Sequence, residues 1–579
     1  MNTQLLTLAE QTGFTQTGGI DEVERLCAEM SAAWPAEVKA FEYGRSAEGR
    51  PMRALIASRS GALNAQELRQ RRIPVLMIQA GIHPGESDGK DGGFIALREL
   101  LSRAAAHEAL ERIALLFVPA FNTDGHERMG RFNRPNQNGP EFTGWRATAE
   151  RLNLNRDYTK ADAPEMQSML KLINAWDPLI CADLHVTDGA DFEPDVSIQV
   201  EPINQGDPML RSSGVQLRDE LIDKLAASGS LPLPFYPDLY ETDNPASGFL
   251  LTVYSPRFST GYFPQRNRFT MLVETHSWKP YAKRVQVMRN TIVGLAELAA
   301  VHGAAWLKQV YAADEAVSAL AGAPFTLGYK SGWRETTAAG KPAMASSADS
   351  GEFIDFRGYA YTRNHSDISG GPVTVYDPGT PQIWHVRYRD RIEPATVVQA
   401  PRLGYFIPQA YAESIGARLK HHGILLTPAA KHLDAALEQF RASRVAFSRT
   451  PFEGRMRAEI SGEWQRLDRK IAAPALFVSL SQPLARLIVA LFEPQAPDSF
   501  AAWGFFNACF EQKEQLEPYV AEQIARDLYA SDHKLREAFE LKLKEDAAFR
   551  ADPAQRLEFF CRHHPSWDEQ LNCYPIYRA

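Results

Sequence analysis

The stretch that most constrains this chain is Ile78-Gln-Ala-Gly-Ile-His-Pro-Gly-Glu-Ser-Asp-Gly-Lys90. It follows an apolar run, Pro74 to Ile78, that reads as a buried strand, and precedes an apolar-periodic run, Gly92 to Leu101, that reads as a helix. Strand, tight loop and helix are the start of an α/β unit, and ligands gather at the carboxyl ends of strands in such sheets. The loop offers an imidazole, His83, and a carboxylate, Glu86, three positions later. Both are usual zinc-ligand types, and one turn can aim both at one point. Surface turns often hold a His and a Glu by chance, so this pair takes its meaning from the rest of the chain.

The chain in order supplies that context. Residues 20–34 carry apolar side chains at helical spacing, and 38–43 and 52–58 read as strands joined by Gly44-Arg-Ser-Ala-Glu-Gly-Arg-Pro51. Ile113 to Val118 is a further strand, and 121–162, rich in Asn, Arg and Gly, reads as loops over a site. Pro164 to Trp176 is helical, Leu179 to Leu184 is a strand with His185 at its carboxyl end, and Met209 to Ala227 is helical. Phe269 to Glu274 is a strand and Ala282 to His302 a long helix. Strands alternating with helices predict an α/β domain with a mixed, mainly parallel sheet flanked by helices, over residues 1–310. Gly, Pro, Thr and aromatic residues dominate 324–408, predicting a β-rich module within 311–450. Helices are expected within 409–445, strands over 475–491 and helices over 510–549, so 451–579 reads as a mixed, largely helical C-terminal region.

Composition narrows the function classes. A net charge of −8 over 579 residues gives no sign of nucleic-acid or anionic-membrane binding. The best apolar stretch, Leu476 to Phe492, is interrupted by Pro483 and Arg486, so no membrane span is expected. Cys27, Cys181, Cys509, Cys561 and Cys573 form no CxxC pair, which argues against a disulfide framework or a thiolate metal site. Met1 to Thr12 lacks the basic start and apolar core of a signal peptide. A cytoplasmic location follows if Met1 is the native start, and a periplasmic or secreted one if a leader has been trimmed. Nothing in the sequence sets the oligomeric state.

A third ligand must come from elsewhere, and Ala182-Asp-Leu-His185 offers one at a strand end. Arg151-Leu-Asn-Leu-Asn-Arg-Asp-Tyr158 and Phe269-Thr-Met-Leu-Val-Glu274 add an Asn-Arg pair and a carboxylate closing an apolar strand. A glutamate in that setting is costly to bury without a job or a partner. Together these features resemble, in order and rough spacing, the zinc carboxypeptidases over residues 18–302. The hairpin 44–51 and the turn Asn122-Thr-Asp-Gly125, similar to the family's Asn-Pro-Asp-Gly, join the match. The resemblance implies one zinc ion per chain held by His83, Glu86 and His185, with Glu274 as general base and acid. It also implies that Asn155 and Arg156 hold the substrate's terminal carboxylate, and that a mobile tyrosine, Tyr254 or Tyr262, precedes the catalytic glutamate. Arg131 and Arg134 lie where the family places an oxyanion arginine, and Arg134, ahead of Pro135-Asn136, is favoured.

Elementary chemistry supports those roles. Three protein ligands leave a zinc position for water, whose pKa falls to about 7 on the metal. Glu274 would take that water's proton and pass it to the leaving amine. His276 reads as a packed histidine, and the remaining ones, including 421–422 and 563–564, as surface residues. Two departures stand out. Gly85 occupies a position where many members have arginine, and Asn153 stands where they carry the aspartate that orients the first zinc histidine. Asp183-Leu-His-Val-Thr187 is also similar to a segment of the related aspartoacylase and succinylglutamate desuccinylase branch. The leading expectation is therefore a zinc metallocarboxypeptidase acting on peptides. An N-acyl amino acid deacylase of the same fold, or a non-catalytic zinc-binding interaction protein, are the alternatives.

Overall fold

The computed structural model describes residues 5–106, 108–332, 352–429, 437–467, 475–514 and 516–579. The apolar runs of the first half become a mixed eight-stranded sheet. Its strands are β1 (Val38–Arg45), β2 (Pro51–Ala57), β3 (Val75–Gln79), β4 (Ala114–Val118), β5 (Ile180–Val186), β6 (Val196–Glu201) and β7 (Pro232–Leu233). After two short strands, β8 (Asp238–Leu239) and β9 (Phe249–Leu250), β10 (Phe269–Thr275) completes it. The spatial order is β1-β2-β4-β3-β5-β10-β6-β7. β4, β3, β5 and β10 run parallel, while β1–β2, β2–β4 and β10–β6 pair antiparallel.

Alternation along these strands separates two cores. Leu76, Ile78, Leu115, Phe117, Ile180 and Ala182 pack against the helices Ile20–Ala33, Asp88–Leu101, Arg211–Ala227 and Tyr281–Ala316. Met77, Leu116 and Cys181 face the other way, into a core shared with the helix Pro164–Trp176. That same core continues through Tyr405, Ile407, Phe440, Ile488 and Tyr574, so the C-terminal region shares the apolar interior of the sheet's second face. Strands covered on both faces need apolar residues at every position, which is why they stood out as unbroken runs.

Beyond Ala316 come β11 (Pro324–Gly332), β12 (Glu352–His365), β13 (Pro372–Arg389) and β14 (Arg391–Gln399). β11 pairs with β14, and the β12–β13 hairpin extends a sheet through β9 to β8 of the first half. β15 (Gly404–Pro408), β16 (Thr427–Ala429), β17 (Leu437–Phe447), β18 (Ala458–Leu467), β19 (Ala475–Ser479) and β20 (Cys573–Arg578) form a six-stranded sheet. Helices Pro518–Ser531, His533–Glu545 and Pro553–Cys561 precede its last strand. Among the described residues no helix is long and apolar enough to cross a membrane.

The structure departs from the sequence expectations in identifiable places. The helix Tyr281–Ala316 runs through the expected division at 310, and the paired strands β17 and β18 straddle the one at 450. Of the segment 409–445, expected to contain helices, Gln409–His421 is a helix while Leu437–Phe447 is strand β17. Of 475–491, expected to be strands, Ala475–Ser479 is strand β19 while Ala485–Phe492 is a helix. Leu487 to Phe492 are all buried, and a short run apolar on every side has no period that separates helix from strand. His126 and His422 are buried rather than at the surface. His422 donates from Nε2 to the Thr159 carbonyl at 3.1 Å and accepts the Tyr262 hydroxyl at Nδ1, 2.9 Å. Parts of two expected segments, 333–351 and 430–436, lie outside the described residues.

Candidate metal and catalytic site

Register brings the key groups together. β5 and β10 are adjacent parallel strands in which His185 pairs with Glu274 and Asp183 with Leu272. Facing residues of paired strands point to the same side. β3, on the other flank of β5, delivers the loop with His83 and Glu86 beside them. His83 Nδ1 lies 3.0 Å from Glu86 Oε1, and His185 Nδ1 lies 2.9 Å from Glu86 Oε2. One donor atom from each residue falls within 4.8 Å of the others, the spacing of a set that could hold a metal ion.

The outer sides of the two rings test that fit. Asn153 Oδ1 accepts the Asn155 backbone N–H at 3.0 Å and faces His83 Nε2 at 3.1 Å. An atom already accepting is an acceptor, so the His83 proton sits on Nε2 and the Nδ1 lone pair points at Glu86. Burial lowers the His83 pKa to about 4, keeping the ring neutral. A neutral nitrogen lone pair facing a carboxylate is reconciled by a cation between them. His185 carries the same bias: Nε2 lies 3.1 Å from Asp183 Oδ2, an ion-pair contact without hydrogen-bond alignment. Burial would lower the His185 pKa, but Asp183 and Glu86 raise it well above the ordinary value. Both flanking carboxylates therefore favour positive charge here. Asp183 is itself fixed by Gln79 Nε2 at 2.7 Å and Ser259 Oγ at 2.5 Å. Burial would raise Glu86, yet Arg134 and the two imidazoles hold it well below the carboxylate range. These donors fit a zinc ion: two inward Nδ1 atoms with acceptors behind them, and one carboxylate.

The three residues open onto a cavity of about 250 Å³, lined also by Arg146, Asn155, Arg156, Tyr254 and Glu274. Glu274 Oε2 is inaccessible to solvent and has no hydrogen-bond partner. Burial pushes its pKa up to about 8, with Glu86 and Asp188 adding to the rise and His185 and Arg134 opposing it. Arg156 stacks over Phe258 at 4.3 Å and donates to the Asn155 carbonyl at 2.7 Å. Among the described residues it makes no salt bridge, and burial, with Arg146 and Arg257 nearby, lowers its pKa to about 10. That wall of the cavity is short of negative charge.

Three expectations change. Tyr262 is a core residue, packed on Tyr158 and bonded to His422, and it does not line the cavity; Tyr254 does. Arg131 is exposed and paired with Glu141 at 3.2 Å. Arg134 pairs with Glu86 at 3.0 Å, with Nη2 on Asp188 at 3.1 Å and on the Val186 carbonyl at 2.9 Å, and it does not itself line the cavity. Arg146 lines the cavity instead, 3.4 Å from Glu86 with 39% of its side chain exposed. Arg146 carries no signal in the sequence, because 121–162 has little periodicity. His276 stacks on Phe192 at 4.1 Å and pairs with Asp191 at 3.0 Å, away from the metal-type cluster.

Comparison with known proteins adds a family to this geometry. No curated protein matches the chain. Among solved structures, it is similar to a metallo-carboxypeptidase from Burkholderia cenocepacia, at 20% identity over 50% of this chain and 69% of that one, TM-score 0.34. It is similar to the carboxypeptidase A of Helicoverpa armigera at 17% identity, over 52% and 75% of the two chains, TM-score 0.36. A Pseudomonas aeruginosa metallo-carboxypeptidase, solved with (2-guanidinoethylmercapto)succinic acid, shares 15% identity over 50% and 69%, TM-score 0.35. The family model of the zinc carboxypeptidases, Peptidase M14, matches residues 23–192, which hold His83, Glu86 and His185. The chain therefore carries a zinc carboxypeptidase domain, recognised over residues 23–192.

Proposed function

We propose that the protein is a zinc-dependent carboxypeptidase that removes a C-terminal residue from peptides. His83 and His185 through Nδ1, and Glu86 through its carboxylate, would hold one zinc ion per chain. When bound, zinc supplies Lewis acidity, which polarises a carbonyl and acidifies water. The observation that carries the reading is Glu274: a carboxylate in register with His185, whose Oε2 has no partner. Its raised pKa suits a group that accepts a proton from the attacking water and returns it to the leaving amine. Arg146, which lines the cavity and keeps 39% of its side chain exposed, takes the place expected of Arg134 and stabilises the developing oxyanion. Asn155 and Arg156 grip the substrate's terminal carboxylate, and the absence of a salt bridge to Arg156 among the described residues supports that role. Tyr254 lines the same cavity and contacts the residue being released.

The test is a peptide-library digest read by mass spectrometry, with each good substrate compared as its free acid and its C-terminal amide. Loss of single terminal residues from the free acids alone is the expected result. Undiminished hydrolysis of the amides would rule out carboxylate anchoring.

A further inference from the structure

The segment 152–162, which carries Asn153, Asn155 and Arg156, is held along its length by the C-terminal region. Trp503 Nε1 donates to Thr159 Oγ1 at 3.0 Å, and Arg455 reaches both Asp162 oxygens at 2.6 and 2.7 Å. Arg418 donates to the Lys160 carbonyl at 3.2 Å and to Asp162 at 3.0 Å. The contact nearest the cavity is of another kind. Glu453 Oε2 accepts the Asn153 backbone N–H at 2.8 Å across 300 residues of sequence.

Asn153 is the hub of this corner of the site. Its side-chain oxygen takes the Asn155 N–H and faces His83 Nε2, and its carbonyl takes the Arg156 N–H at 2.9 Å. Its own N–H goes to Glu453. Anchoring that one peptide group therefore fixes both the His83 ring and the Asn155–Arg156 pair.

The turn that presents Glu453 is built at a cost. Phe452 and Arg455 exchange backbone hydrogen bonds of 2.9 and 3.1 Å, closing a two-residue turn with Glu453 at φ 50 and Gly454 at φ 77. Such turns need positive φ at both central positions and favour Asn, Asp or Gly there. A glutamate gains nothing locally from that conformation, and strained residues of this kind persist where the surroundings require them.

We propose that Glu453 is a positioning residue of the catalytic site, reaching from the C-terminal region to set Asn153 and, through it, His83 and Arg156. The C-terminal region is then a working part of the site rather than an appendage. The inference rests on the proposed carboxypeptidase reading for its catalytic consequence, but the anchoring itself is independent of that reading.

Two variants test it. Glu453→Asn suits the turn but is one methylene too short to reach Asn153, whereas Glu453→Gln keeps both reach and acceptor. The first readout is amide hydrogen exchange over 152–158, which needs neither metal nor substrate. Glu453→Asn should speed exchange there while leaving the melting temperature level or higher, and Glu453→Gln should match the parent protein. Zinc affinity, by competition with a chelator, should fall about tenfold in Glu453→Asn, as for loss of an outer partner of a metal-binding histidine. KM for free-acid peptides should rise roughly fivefold with kcat little changed, the scale of one weakened hydrogen bond. Parent-like exchange in Glu453→Asn, or equal damage in Glu453→Gln, would overturn the proposal. If exchange responds while neither protein binds zinc, the anchoring stands and the carboxypeptidase reading fails.

Discussion

Two carboxylates in this molecule follow near-identical sequence signatures and meet opposite fates. Glu274 closes the apolar strand β10 and Glu493 follows the apolar helix Ala485–Phe492. In the C-terminal region Glu493 is saturated: Arg578 donates from Nε at 3.0 Å and Nη2 at 2.5 Å, Trp464 Nε1 at 3.1 Å, and the Tyr405 hydroxyl as well. At the sheet's carboxyl edge Glu274 keeps an oxygen with no partner and faces a cavity. The cations repeat the contrast, since Arg578 is paired while Arg156 has no salt bridge among the described residues. A buried charge with every hydrogen bond made is scaffold, and one left with unused capacity is available for chemistry.

Substitution is the way to break that comparison. Glu274→Gln should lower kcat by roughly 10²–10⁴, the range for loss of a general acid–base group, with the melting temperature retained. Peptide turnover beside a thermal melt reads both; a variant with parental turnover would remove Glu274 from the chemistry. Glu493→Ala should do the reverse. Leaving Arg578 buried without its partner should cost about 3–5 kcal/mol of stability in a denaturant titration, while turnover of the folded fraction stays parental. If Glu493→Ala lowered kcat without lowering stability, the division between scaffold and working carboxylates would fail.

Arg156→Lys sharpens the contrast among cations. Lysine keeps the charge but not the paired donors or the stacking over Phe258, so KM for free-acid peptides should rise about tenfold, with a smaller change in kcat. An unchanged KM would place the carboxylate anchor elsewhere.

The smallest effect is expected at the join between the two regions. Burial would raise the Asp162 pKa, but hydrogen bonds from Arg455 and Arg418 and the charge of Lys160 hold it down to about 2. A folded-state pKa below the unfolded value of about 3.9 means that the contribution is full above pH 4 and fades as pH falls toward 2. Asp162→Asn should therefore remove about 1–2 kcal/mol at neutral pH and much less at pH 2, allowing for partial solvent exposure. A difference that stayed constant over that window would exclude the ion pairs as its cause.

What was legible in the sequence tracks the same division. β3, β5 and β10 are covered on both faces and therefore announce themselves as apolar runs, and the chemical side chains sit at their ends. β17 and the helix Ala485–Phe492 are harder to read, because one alternates imperfectly and the other is apolar all round. That Tyr254 and Arg146 line the cavity while Tyr262 and Arg134 do not is not legible in spacing, since loop residues reach a cavity through paths that carry no period. Glu453 was invisible for a different reason: its partner lies 300 positions away, and its own turn disfavours it.

The most direct test of the central claim is the zinc content of four purified proteins: the parent, His83→Ala, His185→Ala and Glu274→Gln. We expect one zinc per chain in the parent and in Glu274→Gln, and essentially none in the two histidine variants. Full zinc in either histidine variant, or its loss from Glu274→Gln, would contradict the assignment of ligands and proton carrier.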